Sequence, residues 1–404
     1  MKLNSTKLVA GGLGALLVLS LAGCIGGDGP AKAPDAGDLK LPSSPVTLNL
    51  VDVSGDVVIA QPMIEAYMEA HPDRLAKVNF DTGDATEIAG KLQAQQAAGV
   101  SQIDIVLTGN DALGAGIAQD SWLKLLPDYN KQLGDSVATY LPDAKKMLDL
   151  GEGYAIVNDF GNPGPLLEFL PSTVTDVPTT AEGLLEWAKA NPGQFMYARP
   201  ANSGPGRAFV QGLPYILGDS DPSDPINGWD KTWAYLKELG QYIEYYPSGT
   251  TATMKELANG TRSIIASSAG WDINARAIGT VQKEAEVSAL ENTSWIIDSN
   301  YIVVPKGISK DKLAVVLDLI QWMLTPEQQA KAYDTGYMYP GPAVEGVTLD
   351  MAPDESQQVI NEFGREKYGD LIDSYPTVLP LSNTAMGAMF DKWDREIGAG
   401  MIKE

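Results

Sequence analysis

The sequence predicts an α/β protein with two lobes, each a doubly wound sheet flanked by helices, and a cleft between the lobes. Strand-like and helix-like segments alternate along the chain, and the alternation occurs in two successive sets. Two extended segments, 158–161 and 299–305, join the sets, and we interpret them as crossings between the lobes. A chain of 404 residues is long enough to form two domains with separate cores.

The first set of segments begins with a strand. Residues 46–53 place apolar side chains at every second position, and a loop at 54–56 leads into a helix. A strand at 78–80, a helix at 86–98 and a buried strand at 103–107 follow. Because strands and helices alternate, we predict a sheet of parallel strands.

The second set follows a strand at 154–157. Thr179-Thr180-Ala181-Glu182 forms a capping box that starts a helix. Residues 195–198 form a strand, and Ser203-Gly204-Pro205-Gly206-Arg207 enters another helix. A later strand at 262–267 completes the pattern of a second α/β lobe.

The last part of the chain is predicted to return to the first lobe. Residues 295–305 form the longest strand-like run, and residues 313–323 place apolar side chains at helical spacing. Thr325-Pro326-Glu327-Gln328 then starts a further helix, because Thr caps, Pro suits the first helical position and Gln completes the box.

The N-terminal segment is typical of an export signal. Lys2 and Lys7 precede an apolar stretch at 8–22, which is shorter than the roughly 20 residues that span a bilayer. Leu21-Ala22-Gly23-Cys24 resembles a bacterial lipobox, in which the Cys becomes the mature N-terminus and carries acyl chains such as palmitate. Cys24 is the only cysteine. We therefore predict an extracytoplasmic protein tethered to the cell membrane by lipid.

Charge and composition exclude several classes of function. The 52 acidic and 29 basic residues give a net charge of −23, which argues against a nucleic-acid partner. A single histidine cannot form an HExxH zinc site. A Ser-His-Asp triad is also disfavoured, because His71 lies at the end of a predicted helix before Pro72 and the sequence has no GxSxG motif. We expect neither a cofactor nor a metal. A carboxylate-dependent glycosidase or lyase remains the alternative, because acidic residues are numerous.

Four features in order resemble the family 1 extracellular solute-binding proteins of ABC importers. They are the lipobox, the strand ending at 105–109, the crossing at 301–305 and the helix start Leu324-Thr325-Pro326-Glu327-Gln328-Gln329-Ala330. Residues 182–218 are similar to a subgroup labelled as thiamine, polyamine or iron importers. The resemblance implies a two-lobed periplasmic-binding-protein fold of type II, no enzymatic activity and a monomer. It also implies a small-molecule ligand, a membrane permease and an ATPase as partners.

The domain prediction combines these observations. We predict a signal peptide at 1–23, a flexible linker at 24–45, the first lobe at 46–157 and the second lobe at 158–298. The linker is rich in Gly, Pro, Ala and Asp, which do not build a core. Residues 299–404 provide the return crossing to the first lobe and the C-terminal helices.

The predicted ligand site lies where loops meet helix starts. Ligands of open α/β sheets bind beyond the carboxyl ends of strands, where helix N-termini offer free N–H groups. An aromatic ring after a strand adds a surface for stacking or for a cation. The predicted ligand-binding residues are Ser54, Thr108, Asn110, Asp159, Ser203, Arg207, Trp271, Asp272 and Tyr301, with Tyr337 as a secondary candidate.

The sequence is compatible with a cationic or an anionic ligand. A cation would use Trp271 and Asp272, whereas an anion would use Arg207 and the helix start at Ser203. A ferric ion is a further alternative, because Tyr245 and Tyr246 are adjacent hard oxygen donors. The spacing of Tyr246 with other tyrosines on a helix that begins at Trp229 favours packing instead.

Overall fold

The computed structural model describes residues 33–403, so the predicted signal peptide, Cys24 and the first part of the predicted linker lie outside the described residues. The strands are β1 (Val46–Asp52), β2 (Leu75–Thr82), β3 (Ile105–Thr108), β4 (Ala155–Gly164), β5 (Leu166–Phe169), β6 (Phe195–Met196), β7 (Tyr246–Pro247), β8 (Ile264–Ser267), β9 (Glu286–Ser288), β10 (Trp295–Val303), β11 (Pro340–Gly341), β12 (Thr377–Val378) and β13 (Ile402–Lys403). The α-helices are α1 (Val57–Ala70), α2 (Ile88–Ala97), α3 (Asn110–Ala118), α4 (Asn130–Leu133), α5 (Pro142–Leu150), α6 (Ala181–Ala190), α7 (Gly204–Leu217), α8 (Asp230–Leu239), α9 (Thr250–Ala258), α10 (Ala269–Ala277), α11 (Lys310–Met323), α12 (Pro326–Gln329), α13 (Asp354–Phe363), α14 (Lys367–Asp373) and α15 (Asn383–Glu396). Short 3-10 helices occupy Ala36–Asp38, Ser136–Ala138, Pro200–Asn202, Gly240–Tyr242, Ala330–Tyr333 and Leu349–Met351.

The first lobe is built on a sheet with strand order β11-β4-β10-β3-β1-β2. Strand β1 pairs in parallel with β2 and β3, with Leu50 opposite Ile105. Helix α1 covers this sheet because Ile59, Met63 and Tyr67 recur at i and i+4 and are all buried. A single apolar core therefore joins the sheet to its helices.

The second lobe is built on a smaller sheet with strand order β6-β8-β5-β9. Strand β6 is parallel to β8, whereas β5 is antiparallel to both of its neighbours. Its core is aromatic: Tyr197 packs against Phe209, Tyr246 and Trp393, with ring centroids 4.9 to 6.0 Å apart. The two lobes thus have separate cores, which confirms the predicted two-lobed α/β fold.

The sheets are mixed rather than purely parallel, which corrects the prediction of parallel strands. Strand β10 runs antiparallel to β3 and to β4. The chain leaves the first sheet along β4 and returns to it along β10, so the two strands must run in opposite directions. Their pairing extends from Val303 opposite Ala155 to Ile296 opposite Gly164.

The return crossing begins earlier than predicted. Trp295 packs among buried residues of the second lobe, including Leu166 and Ile273. Ile297 and Tyr301 belong to the core of the first lobe. The chain therefore passes between the lobes within the first residues of β10, ahead of the predicted segment at 299–305.

The C-terminal part of the chain divides between the lobes. Ala343 and Val344 still pack in the first core, but Phe363 and Tyr368 pack against β5, β9 and α10 of the second lobe. Helix α15 buries Met389 in the second core, and β13 pairs with β7. The predicted segment 299–404 is therefore part of both lobes.

The described end of the predicted linker lies on the first lobe. Ala36 and Leu39 pack against its core, and the Tyr129 hydroxyl donates to the Pro34 carbonyl at 2.6 Å. The prediction of a flexible linker at 24–45 is therefore wrong for residues 34–39, which contact the first lobe. Between residues 33 and 403, no helix has both the length and the apolar character required to cross a membrane.

Candidate functional site

A cavity of about 320 Å³ lies between the two lobes. Its wall combines loops that follow strands of the first sheet, residues of the two crossing strands, and helix starts of the second lobe. The lining residues are Val53, Ser54, Gly83, Asp84, Ala85, Gly109, Asp111, Asn162, Asn202, Gly204, Arg207, Ser248, Gly249, Thr250, Trp271, Asp298, Asn300, Tyr337 and Met338.

Arg207 is the one guanidinium among these lining residues. It lies in the first turn of α7, whose start is fixed because the Ser203 hydroxyl accepts a hydrogen bond from the Gly206 N–H at 3.1 Å. Nη1 of Arg207 lies 3.2 Å from Oδ2 of Asp111, and Nη2 lies 2.6 Å from Oδ2 of Asp298. Burial alone would lower the pKa of Arg207, but the two carboxylates outweigh burial and raise it.

Asp111 comes from the opposite lobe. It occupies the first turn of α3, where its Oδ1 accepts the Ala112 N–H at 2.8 Å. Burial raises the pKa of Asp111, and the attraction of Arg207 opposes that shift. The ion pair between Asp111 and Arg207 therefore spans the cavity from lobe to lobe.

Two aromatic rings form another part of the wall. Trp271 of α10 meets Tyr337 of the first lobe edge-on, with centroids 5.2 Å apart. The Tyr337 hydroxyl donates to the Ser54 carbonyl at 3.0 Å. Gly55 permits this contact, because its φ is +84° and a Cβ there would lie 2.3 Å from the Tyr337 oxygen.

A pair of buried carboxyl groups lies behind the cavity wall. Asn158 Nδ2 donates to Asp56 at 3.0 Å and to Asp159 at 3.1 Å, and Asn300, which lines the cavity, donates to Asp159 at 2.9 Å. Burial and the charge of Asp159 raise the pKa of Asp56 well above its ordinary value. Burial raises the pKa of Asp159 to about 7. The pair therefore retains a proton near neutral pH.

Three residues of the predicted set, Ser54, Arg207 and Trp271, line the cavity, as does the secondary candidate Tyr337. Two others lie directly behind it and support lining residues: Asn110 donates to Asp298 at 2.7 Å, and the Ser203 and Thr250 hydroxyls are 2.7 Å apart. Asp159 likewise is fully buried and reaches the cavity only through Asn300.

The prediction that Asp272 faces the ligand is wrong. Asp272 is fully buried and accepts hydrogen bonds from Arg276, Arg365 and Tyr368. Consecutive residues of a helix point in directions about 100° apart, so Trp271 and Asp272 cannot both face the cleft. Trp271 faces the cavity, and Asp272 holds α10 to the C-terminal helices.

Thr108 and Tyr301 also lie away from the cavity, which corrects their prediction. Both are fully buried and lie opposite each other on β3 and β10. The Thr108 hydroxyl donates to the Gly109 carbonyl, and the Tyr301 hydroxyl donates to the Met147 carbonyl at 3.1 Å. Because side chains alternate along a strand, Asn300 faces the cavity and Tyr301 enters the core.

Several lining residues were outside the predicted set: Asp84, Asp111, Asn162, Asp298 and Asn300. One signal was present in the sequence, since Asp298-Ser299-Asn300 interrupts an otherwise apolar strand. Polar residues inside a buried strand need partners, and a cavity wall is one place to find them. Asp111 gave no such signal, because an acid in the first turn of a helix is ordinary.

The adjacent tyrosines lie outside the cavity. Tyr246 is fully buried in the second core, and the Tyr245 hydroxyl donates to Glu256 at 2.5 Å. Tyr246 belongs to β7 and not to the predicted helix, because α8 ends at Leu239. Among residues 33–403, no group of three or more His, Cys, Asp or Glu side chains is arranged to hold a metal ion.

The family follows from comparison with known proteins. Residues 62–359 match the family model described as bacterial extracellular solute-binding protein, which is more than half of the chain. The chain therefore belongs to this family, whose members bind solutes outside the cytoplasm. No curated protein matches the sequence significantly.

Solved structures of ABC transporter proteins share the fold. A Clostridium perfringens ABC transporter protein has a TM-score of 0.63 and 16% identity, over 88% of this chain and 99% of that one. A Streptococcus pneumoniae spermidine/putrescine substrate-binding protein has a TM-score of 0.56 and 14% identity, over 86% and 99%. An Actinobacillus pleuropneumoniae periplasmic binding protein with bound fructose 6-phosphate has a TM-score of 0.63 and 12% identity, over 87% and 99%. These similarities confirm the predicted two-lobed binding-protein fold.

Proposed function

We propose that the chain is the lipid-anchored, substrate-binding subunit of an ABC importer. A small solute enters the cavity, the lobes close around it, and the loaded protein delivers it to a membrane permease that an ATPase drives. In this role the protein is a monomer without enzymatic activity, and Cys24 carries the lipid that holds it at the membrane.

The observation that supports this role best is a cavity walled by both lobes. Asp111 belongs to the first lobe and Arg207 to the second, and they meet across it at 3.2 Å. The lobes are linked by β4 and β10, so small changes in backbone angles along these strands would open the cavity. A capture and release cycle requires such a hinge.

The arrangement of carboxyl groups favours binding over catalysis. An enzyme that cleaves glycosidic bonds needs one carboxyl group that stays protonated as the acid. Asp111 and Asp298, which line the cavity, both accept hydrogen bonds from the permanently charged Arg207 guanidinium, a geometry that suits two carboxylates. The Asp56–Asp159 pair, which retains a proton, is fully buried behind the wall and so cannot contact a substrate in the cavity. We therefore favour a binding protein over the carboxylate-dependent enzyme.

The anchoring is tested by fractionating cells that express Cys24→Ser. This variant should fold normally and move from the membrane fraction to the soluble fraction, because its only lipid-bearing side chain is removed. Labelling with a radioactive fatty acid should mark the wild-type protein alone. Persistent membrane association of the unlabelled variant would contradict the lipid anchor.

The importer role is tested by reconstitution. Any permease and ATPase genes that the genome carries beside this gene would be expressed, and their complex placed in nanodiscs. Addition of the soluble Cys24→Ser protein should stimulate ATP hydrolysis, and an unrelated binding protein should not. Failure to stimulate any neighbouring transporter would contradict the importer role.

A further inference from the structure

The charges that line the cavity are predominantly negative. Among the described lining residues, the acids are Asp84, Asp111 and Asp298, and the base is Arg207. Three carboxyl groups against one guanidinium leave an excess of two negative charges. Asp111 and Asp298 are mostly shielded from solvent, so their charges act strongly on a bound ligand, whereas Asp84 is exposed and acts on a ligand that covers it.

Arg207 is already matched by more negative charge than it carries. Its two terminal nitrogens contact Asp111 at 3.2 Å and Asp298 at 2.6 Å. The Arg207 side chain is only 6% exposed, so solvent does not replace either carboxylate. An anion that approached Arg207 would meet both carboxylates at the same time, and their repulsion would oppose its binding.

The carboxylates retain capacity to accept hydrogen bonds. In Asp84, Oδ1 accepts the Thr86 N–H at 2.7 Å and the Thr86 hydroxyl at 2.5 Å, which leaves Oδ2 open. Asp111 accepts one bond at each oxygen, from Ala112 and from Arg207. Since a carboxylate can accept about four hydrogen bonds, both groups can also accept from the N–H donors of a ligand.

The aromatic pair adds a surface for a cation. Trp271 and Tyr337 both line the cavity and meet edge-on at 5.2 Å, so their rings present differently oriented surfaces. An organic cation within about 6 Å of an aromatic ring face gains electrostatic attraction and apolar contact together. Neutral and cationic heteroaromatic rings stack on such surfaces as well.

Helix starts at the cavity favour an anion over a cation, because their N–H groups are free and carry a positive partial charge. At the cavity, α3 and α10 carry acids in their first turns, and the Ser203 hydroxyl caps α7. Helix α9 begins after Gly249, which has no side chain to cap it. One open helix end contributes about half a positive charge, less than the two negative charges in excess.

We propose, on the basis of the importer role, that the cavity binds a small organic cation, namely an amine or a cationic heteroaromatic compound. The cationic group lies beside Asp84 and Asp111, and the apolar or planar part lies against Trp271 and Tyr337. The N–H groups at the start of α9 donate to acceptor atoms of the ligand. A cavity of about 320 Å³ is near the lower limit for small-molecule sites, so the ligand has the size of a small metabolite.

The proposal is tested by isothermal titration of the soluble Cys24→Ser protein. The cationic probes are putrescine, spermidine, choline and thiamine, and the anionic probes are fructose 6-phosphate, pyridoxal phosphate and ferric citrate. At least one cationic probe should bind below millimolar concentration, more weakly as salt increases, and the anionic probes should not. Binding by an anionic probe alone, or by no cationic probe at millimolar concentration, would overturn the proposal.

Two substitutions locate the binding of the probe. Asp84→Asn should lower the affinity for the bound cation roughly 10- to 100-fold, because it removes a charge-assisted bond and keeps the shape. Asp81→Asn is the matched control, since Asp81 is exposed, as Asp84 is, and lies three residues earlier at the end of β2 but does not line the cavity. Equal affinity of wild-type and Asp84→Asn proteins would overturn the placement of the cation beside Asp84.

The same titrations distinguish this proposal from the importer role. If an anionic probe binds and the reconstituted transporter responds to the protein, the importer role stands and the cationic ligand is wrong. If a cationic probe binds but no neighbouring transporter responds, the ligand class stands and the importer role is wrong.

Discussion

Arg207 of the second lobe donates to Asp111 of the first lobe, with Nη1 and Oδ2 3.2 Å apart across the cavity. Separation of the lobes must break this contact. Both side chains are largely buried, so the bond is less screened by solvent than a surface ion pair. The pair therefore contributes to holding the ligand-free lobes together.

The first prediction concerns this contact. Asp111→Asn should shift the ligand-free protein toward an open form, because a charge-assisted hydrogen bond contributes about 1.5–3 kcal/mol. Small-angle X-ray scattering should show a larger radius of gyration for the variant than for the wild type. Asp143→Asn is the control, since Asp143 pairs with Lys146 on the surface and lies in a single lobe. An unchanged radius for Asp111→Asn would show that the ion pair does not hold the lobes.

The second prediction concerns the loop that positions Tyr337. Gly55→Ala places a Cβ 2.3 Å from the Tyr337 oxygen and also forces a positive φ on alanine. Gly260→Ala is a matched control, because its φ is +70° and a Cβ there meets no atom within 4 Å. In both variants the free energy of unfolding should fall by about 1–2 kcal/mol because of backbone strain. In Gly55→Ala it should fall further, because the new Cβ also collides with Tyr337. Urea denaturation measures the difference, and equal losses would show that the Tyr337 contact is unimportant.

The fold was predictable because it depends on periodicity. The alternating strand at 46–53 and the helix containing Met63 and Tyr67 form as the patterns predict. Strand direction was less accessible, because β4 and β10 pair between segments more than a hundred residues apart. No local sequence pattern indicates whether two such distant strands pair in parallel or antiparallel.

The site was predictable at loops and less so at single positions. Ser54 and Arg207 follow strands or begin helices, and a general rule for α/β sheets places such residues at ligands. Asp272 was misplaced because a difference of one residue on a helix changes the direction of a side chain by about 100°. Asn300, and not Tyr301, faces the cavity for the equivalent reason on a strand.

The third prediction concerns the buried cluster around Asp272. Asp272 balances Arg276 and Arg365 and accepts a hydrogen bond from Tyr368. Asp272→Asn leaves two buried guanidinium groups without their shared carboxylate, so the free energy of unfolding should fall by about 3–5 kcal/mol. Ligand affinity of the folded fraction should remain near that of the wild type, since Asp272 does not line the cavity.

A milder variant keeps this prediction testable if Asp272→Asn fails to fold. Tyr368→Phe removes one hydrogen bond to Asp272. Its free energy of unfolding, measured by urea denaturation, should be about 1–3 kcal/mol lower than that of the wild type. If both variants were as stable as the wild type and bound the ligand more weakly, Asp272 would act in ligand binding and not in stability.

The fourth prediction concerns Glu168, which is fully buried in β5. Burial first, and the charge of Asp272 second, raise the pKa of Glu168 to about 8. The folded protein therefore holds a proton that the unfolded chain releases above its ordinary pKa of 4.5, so stability falls as the pH rises from about 4.5 to 8. Glu168→Gln should reduce this loss, and denaturation curves across that range measure it. An unchanged pH dependence would show that Glu168 is ionised in the folded protein.

The last prediction concerns the carboxyl pair of Asp56 and Asp159. Burial raises the pKa of both groups, to about 7 for Asp159, so the folded protein binds a proton that the unfolded chain releases above its ordinary pKa of 3.8. The stabilisation is complete below that ordinary value and is lost as the pH rises toward 7. Each additional proton bound by the folded state makes the free energy of unfolding fall by about 1.4 kcal/mol per pH unit.

Asp56→Asn should make this fall shallower, because an amide donates to Asp159 without releasing a proton. Asp81→Asn, at an exposed position, should leave the slope unchanged. The Asp56→Asn and Glu168→Gln changes should add in the double variant, since the two acids lie in different lobes. A wild-type slope in Asp56→Asn would show that the pair holds no proton in the folded protein.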